Sequence, residues 1–224
     1  MGGGDDTAST GGAADFVYVL GDNGTIPVAA SGVTLTSVRT VLDGADSITS
    51  GGGLDRIIAG GGADSIAAGD GDNVILGDSG SFSVTATGTV LESALRDTDG
   101  ADTVSAGSGA DWAILGQGDD TADLSDGDNR VLADSGRITL DPAAILTLVA
   151  TSESFGGGDK VTTGAGDDIV LGGAGDNSVL GDNSTIIYDQ ARTLELTEVR
   201  TVANARAGAD VITTAGGRDI LVGD

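Results

Sequence analysis

What most narrows the folds open to this chain is a repeat of nine residues. Asp46, Asp55 and Asp64 stand nine apart, and Asn73 continues the step. The same interval joins Asp102, Asp111, Asp120 and Asn129, then Asp159, Asp168 and Asn177. It also joins Asp210 with Asp219, and Asp6 with Asp15. Two residues beyond each of these fifteen positions stands an apolar side chain, and eleven of the fifteen are Val or Ile. β-branched residues suit a buried strand. In a unit such as residues 50–58, glycines build a tight turn, and three residues form a short strand with Ile57 pointing inward. Two units on opposite sides close one coil, and coils stack at the strand spacing of about 4.8 Å. The predicted fold is all-β, a parallel β-roll or β-solenoid with strand-turn-strand inserts between the nonapeptide runs.

A longer period lies over the short one. Leu20-Gly21-Asp22 recurs as Leu76-Gly77-Asp78, Leu132-Ala133-Asp134 and Leu180-Gly181-Asp182, with leucine spacings of 56, 56 and 48 residues. The last spacing is shorter because its block holds three nonapeptides where the two before it hold four. The inserts fall near residues 26–42, 82–98, 138–156 and 186–206, where period-2 stretches flank turn residues. They are expected to be longer coils or lateral hairpins. The chain thus reads as a single array over 1–224, with superrepeats at about 1–42, 43–98, 99–157, 158–206 and 207–224. It starts and stops in mid-repeat, as expected of a segment of a longer protein or of a protomer completed by its neighbours.

Charge then decides the chemistry. Thirty-five acidic residues against ten basic ones give a net charge of −25, which repels nucleic acid and anionic membrane surfaces. No apolar run is long enough to span a membrane, so no membrane insertion is expected. With no cysteine and no histidine, thiol and imidazole metal sites and the histidine-based catalytic triads are excluded. Aspartates two units apart, such as Asp46 and Asp64, would stack on one edge and repel each other. Calcium between successive turns removes that cost, because it takes six to eight carboxylate and carbonyl oxygens. Magnesium demands a stricter octahedron. Sites absent from the open chain couple binding to folding. For Asp22, Asp78, Asp134 and Asp182, capping of the coil and metal binding both remain open.

The stretches Gly60-Gly61-Gly62-Ala63-Asp64-Ser65-Ile66 and Gly172-Gly173-Ala174-Gly175-Asp176-Asn177-Ser178-Val179 closely match the pattern Gly-Gly-x-Gly-x-Asp-x-(apolar)-x. In this the chain resembles the repeats-in-toxin family, and its interleaved inserts resemble the large surface proteins and adhesins of that family. The resemblance implies a secreted bacterial protein and a parallel β-roll with several calcium ions between its turns. It implies ligation by Asp6, Asp15, Asp46, Asp55, Asp64, Asp102, Asp111, Asp120, Asp159, Asp168, Asp210 and Asp219, with turn carbonyls. The asparagine turns at Asn73, Asn129 and Asn177 are then expected to bind weakly or to rely on the preceding Asp72, Asp128 and Asp176.

The function expected is structural: a calcium-binding repeat module, extracellular or on the cell surface. It would fold on meeting calcium and associate with itself, end to end or laterally, or with the rest of a longer chain. Two alternatives are a carbohydrate- or lattice-binding adhesin module and a polysaccharide-modifying β-helix enzyme. Trp112 and Phe16, expected to face outward, could stack on sugars, and hydroxyls at Ser47, Ser65, Thr103 and Thr121 could form a flat row. No break in the repeat makes a distinct cleft, and the ladder accounts for the carboxylates, so no enzymatic activity is expected.

Overall fold

The computed structural model describes residues 1–12, 16–30, 32–38, 43–94, 99–144, 146–151, 156–181, 184–189, 195–201, 211–214 and 220–222, with 184–189 and 195–201 described by their backbone. Among these residues the chain is all-β, as the repeat predicts. The first sheet is parallel and consists of β1 (Thr7–Ser9), β6 (Ser47–Thr49), β8 (Ser65–Gly69), β12 (Thr103–Ala106), β14 (Thr121–Asp123), β18 (Lys160–Thr162), β20 (Ser178–Leu180) and β24 (Ile220–Val222), in that spatial order. The second, also parallel, consists of β2 (Tyr18–Leu20), β7 (Arg56–Gly60), β9 (Val74–Asp78), β13 (Trp112–Gly116), β15 (Arg130–Asp134), β19 (Ile169–Gly173) and β23 (Val211–Thr214). The chain alternates between them, and each coil adds one strand to each sheet.

Between the two sheets lies a narrow core in the expected register. Ile48, Ile57, Ile66, Ile75, Val104, Ala113, Ala122, Val131, Val161, Val170 and Val179 are all buried in it. Each large member contributes about 1.5–3 kcal/mol of apolar burial. The turns are tight enough to demand glycine. Gly71 has φ +112°, and a Cβ there would strike the carbonyl of Gly53 in the neighbouring coil.

One register differs from expectation. Tyr18-Val19-Leu20 pairs with Arg56-Ile57-Ile58, so Val19 rather than Val17 is the inward partner of Ile57. The two extra residues before Leu20 slide the first turn by two. The amide of Val17 donates to Asp55 Oδ1 in the place expected for Asp15, which lies outside the described residues.

The inserts prove to be lateral hairpins. The first three, made of β3 (Gly24–Thr25), β4 (Val28–Ala29), β5 (Gly32–Ser37), β10 (Gly80–Thr85), β11 (Gly88–Ser93), β16 (Gly136–Leu140) and β17 (Leu146–Ala150), join into one antiparallel sheet. Pairing runs between hairpins as well as within them, β5 to β10 and β11 to β16. The pitch explains this. Four nonapeptides advance the roll by two coils, or about 9.6 Å, and a hairpin of two strands also occupies about 9.6 Å. Leu35, Phe82, Leu91 and Ile138 form a buried row across this sheet and pack on Leu20, Ile58, Leu76, Ile114 and Leu132 of the second roll sheet.

The described residues therefore form three layers, and the outward side chains of the first sheet are exposed among them. There Thr7, Ser47, Ser65, Thr103 and Thr121 form one exposed row in register, continued by Lys160. Arg56 lies in the other sheet and does not interrupt them. The fourth hairpin, β21 (Ser184–Asp189) with β22 (Glu195–Thr201), forms a separate two-stranded sheet. It follows β20 of the first sheet, whereas the other three follow strands of the second. Three nonapeptides make one and a half coils, which leaves the chain on the opposite side.

Candidate metal centre

Each ladder residue sits immediately before a strand, so the repeat produces two columns, one on each edge of the roll. On the first edge the backbone amide of each ladder residue donates to Oδ1 of the next one along the axis. The series runs from Asp6 to Asp46, Asp64, Asp102, Asp120, Asp159 and Asn177, with distances of 2.7–2.9 Å. On the second edge it runs from Val17 to Asp55, Asn73, Asp111, Asn129 and Asp168, at 2.8–3.2 Å. The structure thus gathers into these columns every ladder residue it describes. Asp210 and Asp219 lie outside the described residues.

The hydrogen bonds use only half of each carboxylate. Asp46, Asp55, Asp64, Asp102, Asp111, Asp120 and Asp159 are at most 2% exposed, and Oδ2 of each has no hydrogen-bond partner. Burial pushes the carboxyls of Asp64, Asp111 and Asp120 up to about 7, Asp159 to about 8 and Asp102 to about 9. The amide each receives pulls its value back down, while neighbouring carboxylates raise it further. A column of this kind is costly as bare anions. Among the described residues no three acidic side chains gather closely enough to hold a metal by themselves. Turn carbonyls must therefore complete any coordination shell. Hard oxygen donors, partly desolvated and with lone pairs to spare, fit calcium.

The asparagine turns are built differently. Nδ2 of Asn73 donates to the carbonyls of Gly69 and Gly71 at 3.1 and 2.8 Å. Asn129 does the same to Ser125, Gly127 and Thr163, and Asn177 to Gly173, Ala174 and Gly175. The amide orientation is fixed by the network, since Oδ1 must accept the ladder amide. The preceding Asp72, Asp128 and Asp176 are exposed. Asp72 and Asp128 accept the amides of Ala110 and Asp167 in the following turn. Asp70 and Asp126 likewise accept from Ser108 and Ala165. These last two escaped the nine-residue reading, although the Asp-Gly-Asp-Asn spelling shared by both turns marks them.

Trp112 does face away from the roll core, but the hairpin sheet half-covers it in a cleft with Arg56, Phe82, Val84 and Leu140. Phe16 is 50% exposed, edge-on to Tyr18 and beneath the Arg56 guanidinium. Among the described residues no helix is long and apolar enough to cross a membrane.

A family model described as RTX calcium-binding nonapeptide repeat (4 copies) matches residues 42–66, 49–81, 95–137, 154–184 and 202–224, more than half of the chain. No curated protein and no solved structure matches it. With its repeat, its parallel roll and its two carboxylate columns in agreement, the chain belongs to the family of RTX calcium-binding nonapeptide repeats.

Proposed function

We propose that this calcium-binding repeat array is a structural module of a secreted or surface-attached bacterial protein, folding when calcium fills the edges of its roll. The observation that carries the reading is the set of seven buried ladder aspartates whose second oxygen meets no donor. Asp46, Asp55, Asp64, Asp102, Asp111, Asp120 and Asp159 are the ligands assigned, with Asp168 continuing the second column, and carbonyls of the glycine turns complete the shell. Calcium supplies the positive charge these columns need. The residues position it by fixing Oδ1 on a neighbouring amide and leaving Oδ2 without a donor. A chain that stays open where calcium is scarce suits export, and its stacked coils suit end-to-end or lateral association outside the cell.

The test is far-UV circular dichroism during a calcium titration, with magnesium as control and chelator to reverse it. A coil-to-β transition driven by calcium and not by equal magnesium is expected. A chain already β-rich in chelator and indifferent to calcium would sink the reading.

At the asparagine turns the side-chain amide takes the place of a cation, donating to the carbonyls that would otherwise ligate one. On the second edge Asp and Asn alternate through Asp55, Asn73, Asp111, Asn129 and Asp168, so aspartate turns that take an ion alternate with asparagine turns closed by their own amide. Asn73→Asp is expected to add one bound calcium per chain, counted by native mass spectrometry, and to make folding more steeply dependent on calcium. An unchanged count would mean that the asparagine turns already hold an ion.

A further inference from the structure

At three places on the first edge a hairpin replaces the plain turn. The chain leaves β2, β9 and β15 through Asp22, Asp78 and Asp134, and returns to the edge just before Asp46, Asp102 and Asp159. These departing aspartates lie outside the nine-residue ladder, yet they are at most 1% exposed. Each accepts, at Oδ2, the amide of a residue in the next plain turn: Gly61, Gln117 and Ala174. Oδ1 of each is buried and has no hydrogen-bond partner.

We propose that the hairpin junctions carry cation sites of their own, best formed where Asp78 and Asp102 close on a divalent ion together with backbone carbonyls. This rests on the calcium reading above. In a plain turn, the carbonyls four and two residues before the ladder position converge, as Gly69 and Gly71 do on the Asn73 amide. At a hairpin junction the departing carboxylate comes from the strand side and adds an oxygen to the edge.

Close contacts bring Asp102 up to the backbone beside Asp78. A Cβ on Gly77 would collide with Asp102 Oδ2 and with the Leu115 carbonyl, so both press on the backbone beside Asp78. A Cβ on Gly116, where φ is +120°, would collide with Asp78 Oδ2. Asp102 spends Oδ1 on the amide of Asp64, and its Oδ2 has no partner. Asp102 thus holds its donor-free oxygen against the backbone beside Asp78, whose own Oδ1 is buried without a donor. Burial first, and then the carboxylates of Asp99, Asp102 and Asp120, raise the Asp78 carboxyl to about 10.

The junction at Asp22 repeats the pattern, since a Cβ on Gly21 would meet Asp46 Oδ2 and the Ala59 carbonyl, whereas Ala133 precedes Asp134 at the third. Asp22 is coupled to Asp46, and Asp134 to Asp159. The backbone amides of Gly44 and Gly157 also lower the carboxyls of Asp22 and Asp134. Of the three junction carboxyls, that of Asp78 is raised furthest.

The test is the number of calcium ions held by the intact folded chain, by native mass spectrometry and equilibrium dialysis, in wild type and Asp78→Asn. One ion fewer per chain is expected in the variant, with the β signal retained. A folded variant with the wild-type count would overturn the proposal and leave Asp78 a protonated cap. Should Asp78→Asn fail to fold, Asp134→Asn takes its place, with the same loss of one ion expected and an unchanged count equally fatal. A wild-type chain that holds no calcium would instead remove the ladder reading itself, so the two failures are distinguishable.

Discussion

In chelator, the folded form of this chain is expected to become more stable as the pH falls from about 8 to about 4. This is the reverse of ordinary acid denaturation. In the open chain the aspartates titrate near the ordinary carboxylate value of 3.8, whereas burial and mutual repulsion lift Asp64, Asp111 and Asp120 to about 7, Asp102 to about 9 and Asp78 to about 10. Between those limits the folded state binds more protons than the unfolded state, so stability declines as pH rises. It is fully present below the unfolded value and is lost as pH climbs toward each folded one. At pH 7 the loss for Asp78 alone is on the order of 4 kcal/mol, as each unit is worth about 1.4 kcal/mol. That is comparable with the whole stability of an ordinary domain, about 5–15 kcal/mol. The coupled neighbours do not simply add. With saturating calcium the slope should reverse, because metal binding displaces those protons. Urea midpoints at several pH values, with and without calcium, check both slopes. A chelated chain more stable at about pH 8 than at about pH 5 would show that the columns are not the organising charge.

Phe82→Ala is expected to cost about 3–5 kcal/mol, and to cost it unevenly. Phe82 is 2% exposed, opposite Leu35 on one side and Leu91 on the other, and the Arg56 guanidinium lies 5.4 Å from its ring centre. It is the largest fully buried side chain in the layer that fastens the hairpin sheet to the roll. The ladder carboxylates belong to the roll edges and make no use of that layer. Hydrogen exchange should therefore show lost protection in β5, β10, β11 and β16, with the roll strands still protected and the calcium count unchanged. If protection in the roll falls in step, or ions are lost, the three layers form one cooperative unit and the hairpin sheet helps to build the metal sites.

The roll was legible in the sequence because it is written in single residues at a fixed step. Asp before each strand and Val or Ile two places later are enough to define both columns and the inner core. Where two residues were added before Leu20, the step failed and Val19 took the inward place. The lateral sheet was only half legible. Its strands show in alternation, but the pairing of β11 with β16 depends on two coils and two hairpin strands having the same width, a property of stacked geometry and not of local composition. On the sequence alone the asparagine turns look like weak or assisted aspartate turns. A one-letter change records the loss of a charge, and only the coordinates show an amide hydrogen reaching the turn carbonyls. The junction aspartates were ambiguous for a related reason, since the ladder partner that makes them interesting lies 24 residues on, past a hairpin, from Asp22 to Asp46 and from Asp78 to Asp102.

The fourth hairpin turns this counting into a means of addressing. An even number of nonapeptides between hairpins returns the chain to the same flank and extends one continuous sheet; an odd number delivers the next hairpin to the opposite flank. Gain or loss of a single nine-residue unit would therefore leave the roll itself in phase while relocating everything carried downstream to the other side. In an array of this kind unit number acts as a steering instruction, and the decoration of each face can evolve by slippage at the level of repeats, without any change to the turns, the core or the carboxylate columns.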